Sequence, residues 1–138
     1  MSKKYRILII DDCVVTLAGL EAYLSEKYHI LTASNGRDGV QKFFKDEKRI
    51  HLVLTGLIFS DFIGVGLVSL IKKKAPEKPV IAMTGWEYPE EFESKADADL
   101  ILKKPFEMEE LDQALEKLLS EIRKKKVRPR ASLKKHKR

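Results

Sequence analysis

The sequence predicts an α/β protein, a doubly wound five-stranded parallel sheet with helices on both faces. Five short apolar runs rich in Ile, Leu and Val are typical of strands buried on both faces. Segments with helical spacing of apolar residues separate these runs, and such alternation favours parallel strands joined by right-handed crossovers. Polar residues follow the runs where strands would end, which is where ligands of such sheets bind.

The first half of the chain supplies three strands and two helices. Its predicted elements are the strand Tyr5–Ile10, a helix from Val14 to Lys27, the strand His29–Ala33, the helix Gly39–Asp46 and the strand Leu52–Thr55. The inward positions expected from helical spacing are Val14, Leu17, Ala18, Leu20, Ala22 and Leu24, followed by Val40, Phe43 and Phe44.

The second half supplies two strands and three helices. Its predicted elements are the helix Gly64–Lys74, the strand Val80–Met83, a weak acidic helix over Pro89–Ala96, the strand Leu100–Leu102 and an amphipathic helix from Glu107 to Lys125. The Ala75-Pro76 step ends the first of these helices. The inward positions expected here are Leu67, Leu70 and Ile71, followed by Leu111, Ala114, Leu115, Leu118 and Ile122.

Length and composition favour one globular domain with a short tail. The chain has 138 residues, of which 43% are hydrophobic and 35% charged. No apolar run approaches the roughly 18 residues of a membrane span, so we expect none. The single cysteine, Cys13, excludes an internal disulfide and is typical of a reducing cytoplasm. We therefore expect a cytoplasmic protein.

Charge divides the chain at residue 122. Residues 123–138 hold ten Lys/Arg and no acid, which leaves 17 basic and 21 acidic residues in 1–122, a net charge of −4. The predicted domain is thus acidic, and 123–138 is a basic tail that we expect to be disordered. Such a tail is either a solvated end or an electrostatic anchor for nucleic acid or anionic lipid. It lacks aromatic residues, so base stacking is not expected.

Polar groups gather at the predicted strand ends. Asp11 and Asp12 follow the first strand, Gly56 ends the third, Thr84 follows the fourth and Lys104 follows the fifth. Because the carboxyl ends of parallel strands meet at one edge of a sheet, these residues are expected to converge. A carboxylate pair, a hydroxyl and an ammonium suit a phosphorylated aspartate at position 56, where this sequence has glycine.

Four motifs lie at the predicted strand ends: ILIIDD at 7–12, LVLTGLIFSDFIG at 52–64, IAMTG at 81–85 and KKPF at 103–106. Together they resemble the receiver domain of bacterial response regulators, and the resemblance covers about 4–122. It implies a flavodoxin-like (βα)5 fold with strand order 2-1-3-4-5. The implied partners are signalling proteins such as a sensor kinase or an output protein, with a monomer or weak dimer as the assembly.

The resemblance also implies roles for the residues at the strand ends. In the family, an aspartate at the end of the third strand takes a phosphoryl group from a histidine kinase. Asp11 and Asp12 match the acidic pair that helps to hold Mg²⁺, and Thr84 and Lys104 match the phosphate contacts. The peptide bond between Lys104 and Pro105 is cis in the family.

This chain departs from the family pattern at three positions. Gly56 replaces the acceptor aspartate, Ile101 replaces an aromatic residue that swings inward on activation, and Ser60 replaces a proline. The loss of the acceptor and of the aromatic residue together predicts a pseudo-receiver that binds a protein partner without phosphorylation and is not an enzyme. Any Mg²⁺ binding would be weak.

Two other functions stay open. The first is a phosphorelay receiver whose acceptor was substituted, or replaced by another residue such as Asp61 in the following loop. The second is a nucleic-acid-associated regulator that residues 123–138 anchor electrostatically.

Structural roles are also open for several of these residues. Asp11 and Asp12 are alternatively caps of the first helix, and Lys104 is alternatively an ion-pair partner of Asp12. Gly56 alternatively permits a positive φ or a close backbone approach. Acidic neighbours are expected to raise the pKa of Cys13, which favours a structural role for its thiol.

Trp86 and Tyr88 precede a run of acids in the loop after the fourth strand. They form either a partner surface or a cover over the emptied pocket.

Overall fold

The computed structural model describes residues 4–57, 59, 64–85 and 97–126 of the chain. Its centre is a five-stranded sheet in which every neighbouring pair is parallel, in the order β2-β1-β3-β4-β5. This confirms the predicted fold class and strand order. The strands are β1 (Arg6–Ile10), β2 (His29–Ala33), β3 (Leu52–Gly56), β4 (Val80–Thr84) and β5 (Leu100–Lys103).

Burial follows position in the sheet. All five residues of β3 and of β4 are buried, and so are the last four of β1. The edge strands are more open, because Ala33 is the buried residue of β2 and Leu102 that of β5. Continuous apolar runs therefore mark the three central strands, as expected for parallel sheets covered on both faces.

The strands β3, β4 and β5 each extend one residue further than predicted, and in β3 and β4 this places a site residue inside the sheet. Gly56 is the last residue of β3 and pairs with Met83, whereas Thr84 ends β4 and pairs with Lys103. The carboxyl ends of β3, β4 and β5 therefore lie side by side at one edge.

Four helices lie within the described residues, and the third has the predicted bounds. They are α1 (Val14–Leu24), α2 (Gly36–Asp46), α3 (Gly64–Lys74) and α4 (Met108–Lys126). α1 ends before Lys27, since the N–H groups of Lys27 and Tyr28 both bond to the Leu24 carbonyl in a tight turn. α2 begins three residues earlier than predicted, because the Asn35 side chain caps it by accepting the Asp38 N–H at 2.8 Å. The helix predicted over Pro89–Ala96 lies outside the described residues.

A hydrophobic core joins α2 and α3 to one face of the sheet. Phe43 of α2 and Leu67 and Ile71 of α3 pack in one cluster with β1 and β3 residues such as Leu8 and Val53. At Gly39 the helix backbone comes so close to β1 that an added Cβ would lie 2.6 Å from Ile10 Cδ1. This glycine permits the close packing of α2 on β1.

Several predicted inward positions are wrong, because apolar spacing does not identify which flank is covered. Val14 is 67% exposed, Ala18 and Ala22 are exposed, and the buried residues of α1 are Leu17, Leu20 and Leu24. Phe44 and Leu70 are also exposed, and Val68 is buried where Leu70 was expected. α1 is apolar on most of its circumference, so its spacing could not single out a buried stripe.

The chain divides into two compact units, residues 1–106 and 107–138. In the second unit, α4 buries Leu111, Ala114, Leu115 and Leu118 as predicted, and Leu119 rather than the half-buried Ile122. α4 continues to Lys126, four residues past the boundary predicted at 122, and residues 127–138 lie outside the described part. No helix in the described ranges has the length and apolar character needed to cross a bilayer.

Candidate functional site

Asp11 organises the strand ends because both of its carboxylate oxygens are engaged. The residue follows β1 directly and is buried, with a relative exposure of 2%. Its Oδ1 accepts the Cys13 N–H at 2.9 Å, and its Oδ2 accepts a hydrogen bond from Lys104 Nζ at 2.7 Å. The ammonium therefore neutralises a carboxylate that burial would otherwise destabilise.

This geometry corrects two sequence-based alternatives. Lys104 pairs with Asp11 and not with Asp12, which is exposed at the surface. The N-cap residue of α1 is Cys13, without a side-chain cap, so neither aspartate is the cap itself. Asp11 instead takes the Cys13 N–H. The sequence position of Asp11 could have identified it as the partner of Lys104, because Asp11 directly follows β1 and therefore lies closer to the sheet edge than Asp12.

Lys104 reaches the site from the end of β5. Its backbone N–H donates to the Thr84 carbonyl at 2.6 Å, which continues the β4–β5 pairing by one residue. The Lys104–Pro105 peptide bond is cis, as the family resemblance implied. The lysine side chain is one-third exposed, so the ion pair lies at the boundary between the sheet and solvent.

Thr84 has a buried hydroxyl without a hydrogen-bond partner in the described part of the chain. By contrast, the neighbouring buried Thr55 hydroxyl donates to the Gly56 carbonyl at 2.8 Å. Leaving a buried hydroxyl unpaired costs about 1–3 kcal/mol. Thr84 thus keeps a polar group at the strand ends that internal packing does not use, and its role as a phosphate contact remains a prediction.

Gly56 is not required by the backbone. Within the described ranges no glycine has a positive φ. A Cβ built on Gly56 would lie 3.8 Å from Asp11 Oδ2 and 3.8 Å from the Ile10 carbonyl oxygen, which is ordinary van der Waals contact. The proposals of a left-handed conformation or a close approach at this position are therefore wrong. The site accepts a side chain here, pointing toward Asp11.

The donor set does not fit a tightly held Mg²⁺. Mg²⁺ prefers octahedral coordination by hard oxygen ligands and usually keeps several waters. The described residues contain no group of three or more His, Cys, Asp or Glu placed to hold a metal ion. Of the two predicted ligands, Asp11 already accepts from Lys104 and Cys13, and Asp12 is exposed.

Cys13 differs from its predicted state. The thiol is exposed, and its pKa lies below the ordinary cysteine value. The largest cause is a side-chain hydrogen bond with Thr16, which lowers the pKa, whereas the charge of Asp11 raises it by a smaller amount. The expected upward shift is therefore wrong, because a local hydrogen bond outweighs charge repulsion.

The remaining predicted site positions are less informative. Ile101 is 38% exposed on β5, and it pairs with Ala82 of β4. Ser60, Asp61, Trp86 and Tyr88 lie outside the described residues. The structure thus brings together Asp11, Gly56 and Lys104, and places Thr84 at the end of the strand between β3 and β5.

Comparison with known proteins relates this chain to one family. The sequence profile of the response regulator receiver domain matches residues 7–116. The chain is 26% identical over 123 residues to the transcription factor SKN7 of Chaetomium thermophilum, of which it spans only 16%. A response regulator receiver domain from Clostridium thermocellum superposes with a TM-score of 0.81 at 26% identity, covering 87% of this chain and 98% of that one.

A further solved structure carries ligands. The response regulator TrrA of Thermotoga maritima, in complex with Mg²⁺ and BeF, has a TM-score of 0.74 at 31% identity, covering 83% of this chain and 99% of that one. Because the family profile spans most of the chain and its fold is that of the solved receiver domains, this chain belongs to the response regulator receiver domain family of two-component signalling.

Proposed function

We propose that this chain is a pseudo-receiver, an interaction module of a two-component system that binds its partner without being phosphorylated. The observation that carries the proposal is Gly56 itself. It occupies the acceptor position although the backbone is ordinary and an added Cβ would make only ordinary van der Waals contacts. The glycine therefore removes the nucleophile without serving the fold.

The charges around Gly56 support the same conclusion. Phosphoryl transfer to a carboxylate brings two anions together, so cations must offset their repulsion. Here the Lys104 ammonium is already paired with Asp11 at 2.7 Å. With the acceptor carboxylate absent, the charges of Lys104 and Asp11 neutralise each other in the buried site. Neither a phosphoryl group nor a tightly bound cation is then needed to balance the charge there.

The proposal is tested by incubating the chain with Mg²⁺ and acetyl phosphate and measuring its intact mass. We expect no phosphoryl adduct. A stoichiometric adduct on the unaltered chain, mapped to an aspartate, would sink the proposal.

The matched control is Gly56→Asp, which restores the carboxylate at a position where an added Cβ meets no atom of the described residues closer than 3.8 Å. If the site has changed beyond position 56, we expect this variant to acquire a Mg²⁺-dependent phosphoryl adduct slowly or not at all, because Lys104 is already paired with Asp11. We also expect Mg²⁺ to raise its melting temperature and to leave that of the unaltered chain unchanged, since only a ligand that binds the folded state stabilises it.

A second candidate is a receiver whose acceptor was substituted in an otherwise intact site. The buried Thr84 hydroxyl favours it, because this group has no partner among the described residues and suits a phosphoryl oxygen. Gly56→Asp separates the two candidates. Rapid phosphorylation of the variant supports the second candidate, an intact site, whereas slow or absent phosphorylation supports the pseudo-receiver, whose site has changed beyond position 56.

A further inference from the structure

The C-terminal ends of α2 and α3 form one basic surface. Residues 42–49 and 72–78 together hold eight Lys/Arg against three acids. Lys78 ties the two segments together: its ammonium donates to the carbonyls of Glu47, at 2.9 Å, and of Ile50. Since Ile50 and Lys78 precede β3 and β4, this surface lies at the edge of the sheet opposite to Gly56.

The nearby acids are mostly engaged by other basic residues. The three ion pairs are Lys78–Glu47 at 3.6 Å, Arg49–Asp46 at 3.9 Å and Lys72–Asp99 at 2.7 Å. Glu77 is one further exposed acid in the segment. Four exposed lysines have no acid partner in the part of the chain that the structure describes, and we call them the lysine rim: Lys45, Lys48, Lys73 and Lys74.

Two exposed apolar side chains, Phe44 of α2 and Leu70 of α3, belong to the same two helices as the lysine rim. Lys42 donates a hydrogen bond to the carbonyl of Thr32 on the edge strand β2. The flank of α2 that carries Lys42 therefore faces the β2 edge of the sheet. Phe44 is two residues further on, about 200° around the helix, and therefore lies on the opposite flank, toward α3.

The same reasoning applies to α3. Lys72 bonds to Asp99 at the start of the other edge strand, β5, at 2.7 Å. Leu70 is two residues earlier, again about 200° away, and so lies on the flank toward α2. Because α2 and α3 contact each other on one face of the sheet, we infer that Phe44 and Leu70 line the surface between the two helices, which we call the groove.

Both side chains are accessible in this groove. Phe44 is 46% exposed and Leu70 is 38% exposed, although each is next in sequence to a fully buried residue, Phe43 or Ile71. The Phe44 ring stands edge-on to the buried Phe43 ring, with 5.9 Å between centroids, and this contact orients it. The groove thus combines an oriented apolar floor with a cationic rim.

We propose that this groove, formed by Phe44 and Leu70 and the lysine rim, binds an acidic amphipathic helix of a partner protein. Apolar residues of that helix cover the floor, and its carboxylates meet the rim. The positive rim selects an anionic occupant. The exposed Phe and Leu favour a peptide over a nucleic-acid backbone, whose phosphates contribute charge but no apolar surface.

The groove would supply a docking surface for the interaction module proposed above. Its test contains no phosphodonor, so its outcome is separate from the phosphorylation experiment. The probe is a fluorescent peptide of about 16 residues with Leu at i, i+3, i+4 and i+7, Glu at the positions flanking this stripe and Ala elsewhere, because Ala favours the helix whereas Glu at every other position would repel it open. The control peptide has Lys in place of every Glu. We expect the full chain to bind the acidic peptide and not the basic one, with affinity falling as salt rises.

Variants locate the binding site. We expect Lys48→Glu combined with Lys73→Glu to weaken acidic-peptide binding by about tenfold, because two attractive contacts become repulsive. Phe44→Ala and Leu70→Ala should each weaken it while leaving its salt dependence unchanged. The matched control is Lys27→Glu, an exposed lysine outside the groove, which should change affinity by no more than about twofold. All these side chains are at the surface, so circular dichroism should show an unchanged fold.

Three results would overturn the proposal. One is equal affinity for the acidic and basic peptides, and another is acidic-peptide binding that the groove variants do not alter. The third is binding of duplex DNA that the lysine reversals abolish and Phe44→Ala leaves intact, with no peptide binding, which would make this surface a phosphate-backbone site instead.

Discussion

Asp11 is the residue that links the strand ends around Gly56. Its two oxygens accept from the Cys13 backbone and from Lys104, and both contacts are close to ideal hydrogen-bond length. Gly56 lies beside this carboxylate without contributing a side chain. The ion pair between Asp11 and Lys104 is therefore the side-chain contact that links the strand ends in this cluster.

The strength of this pair can be measured directly. Lys104→Met leaves the buried Asp11 carboxylate without its ammonium partner, and we expect a loss of about 1–3 kcal/mol of unfolding free energy, less than for a fully buried pair because Lys104 is one-third exposed. Asp11→Asn keeps an oxygen for the Cys13 N–H. Urea unfolding of the double variant should show a smaller loss than the sum of the single losses, whereas simple additivity would show that the pair contributes nothing.

At the scale of elements, α2 and β1 approach each other at Gly39. An added Cβ there would lie within 3.0 Å of three side-chain atoms of Ile10, which is itself buried. Gly19, on the exposed face of α1, has nothing within 4 Å of the same hypothetical atom. The two helical glycines thus differ in their surroundings: packing leaves room for a Cβ at Gly19 but not at Gly39.

This difference gives a matched pair of substitutions. Gly19→Ala should stabilise the fold by about 0.5–1 kcal/mol, since alanine favours the helix. Gly39→Ala gains the same helix preference but overpacks the core, so its unfolding free energy should fall below that of Gly19→Ala by about 1–3 kcal/mol. Urea denaturation measures both. Equal stabilities would contradict the close approach of α2 to β1.

At the scale of the whole molecule, charge is sorted by segment. Residues 1–122 carry a net charge of −4, while the ten Lys/Arg from Arg123 onward carry no compensating acid. The first of these basic residues belong to α4, which ends at Lys126. A deletion that respects the helix therefore begins at residue 127.

The deletion of 127–138 tests the nucleic-acid alternative. If the tail is an electrostatic anchor, duplex DNA binding by the full chain should weaken steeply with salt and be lost on deletion, because phosphate contacts release counterions. Fluorescence anisotropy at several salt concentrations measures this. Equal DNA binding by the shortened and full chains would reject the tail as an anchor and would direct attention to the lysine rim.

The sequence by itself determined the fold class, the strand order through its family resemblance, and the positions that meet at the strand ends. It did so because hydrophobic period and motif spacing are local signals that a parallel sheet brings to one edge. The glycine at 56 and the isoleucine at 101 were also legible without coordinates.

Tertiary structure alone decided which groups touch. Lys104 pairs with Asp11 rather than Asp12 because Asp11 is the carboxylate within reach across the sheet. Gly56 has room for a Cβ because no neighbouring atom in the described part of the chain would lie closer to it than 3.8 Å. Neither fact can be read from the spacing of the motifs. Burial on α1, α2 and α3 likewise depended on which flank a neighbour covers. The sequence thus predicts the cluster around Gly56, whereas the packing of the strands decides that Lys104 and Asp11 form its ion pair.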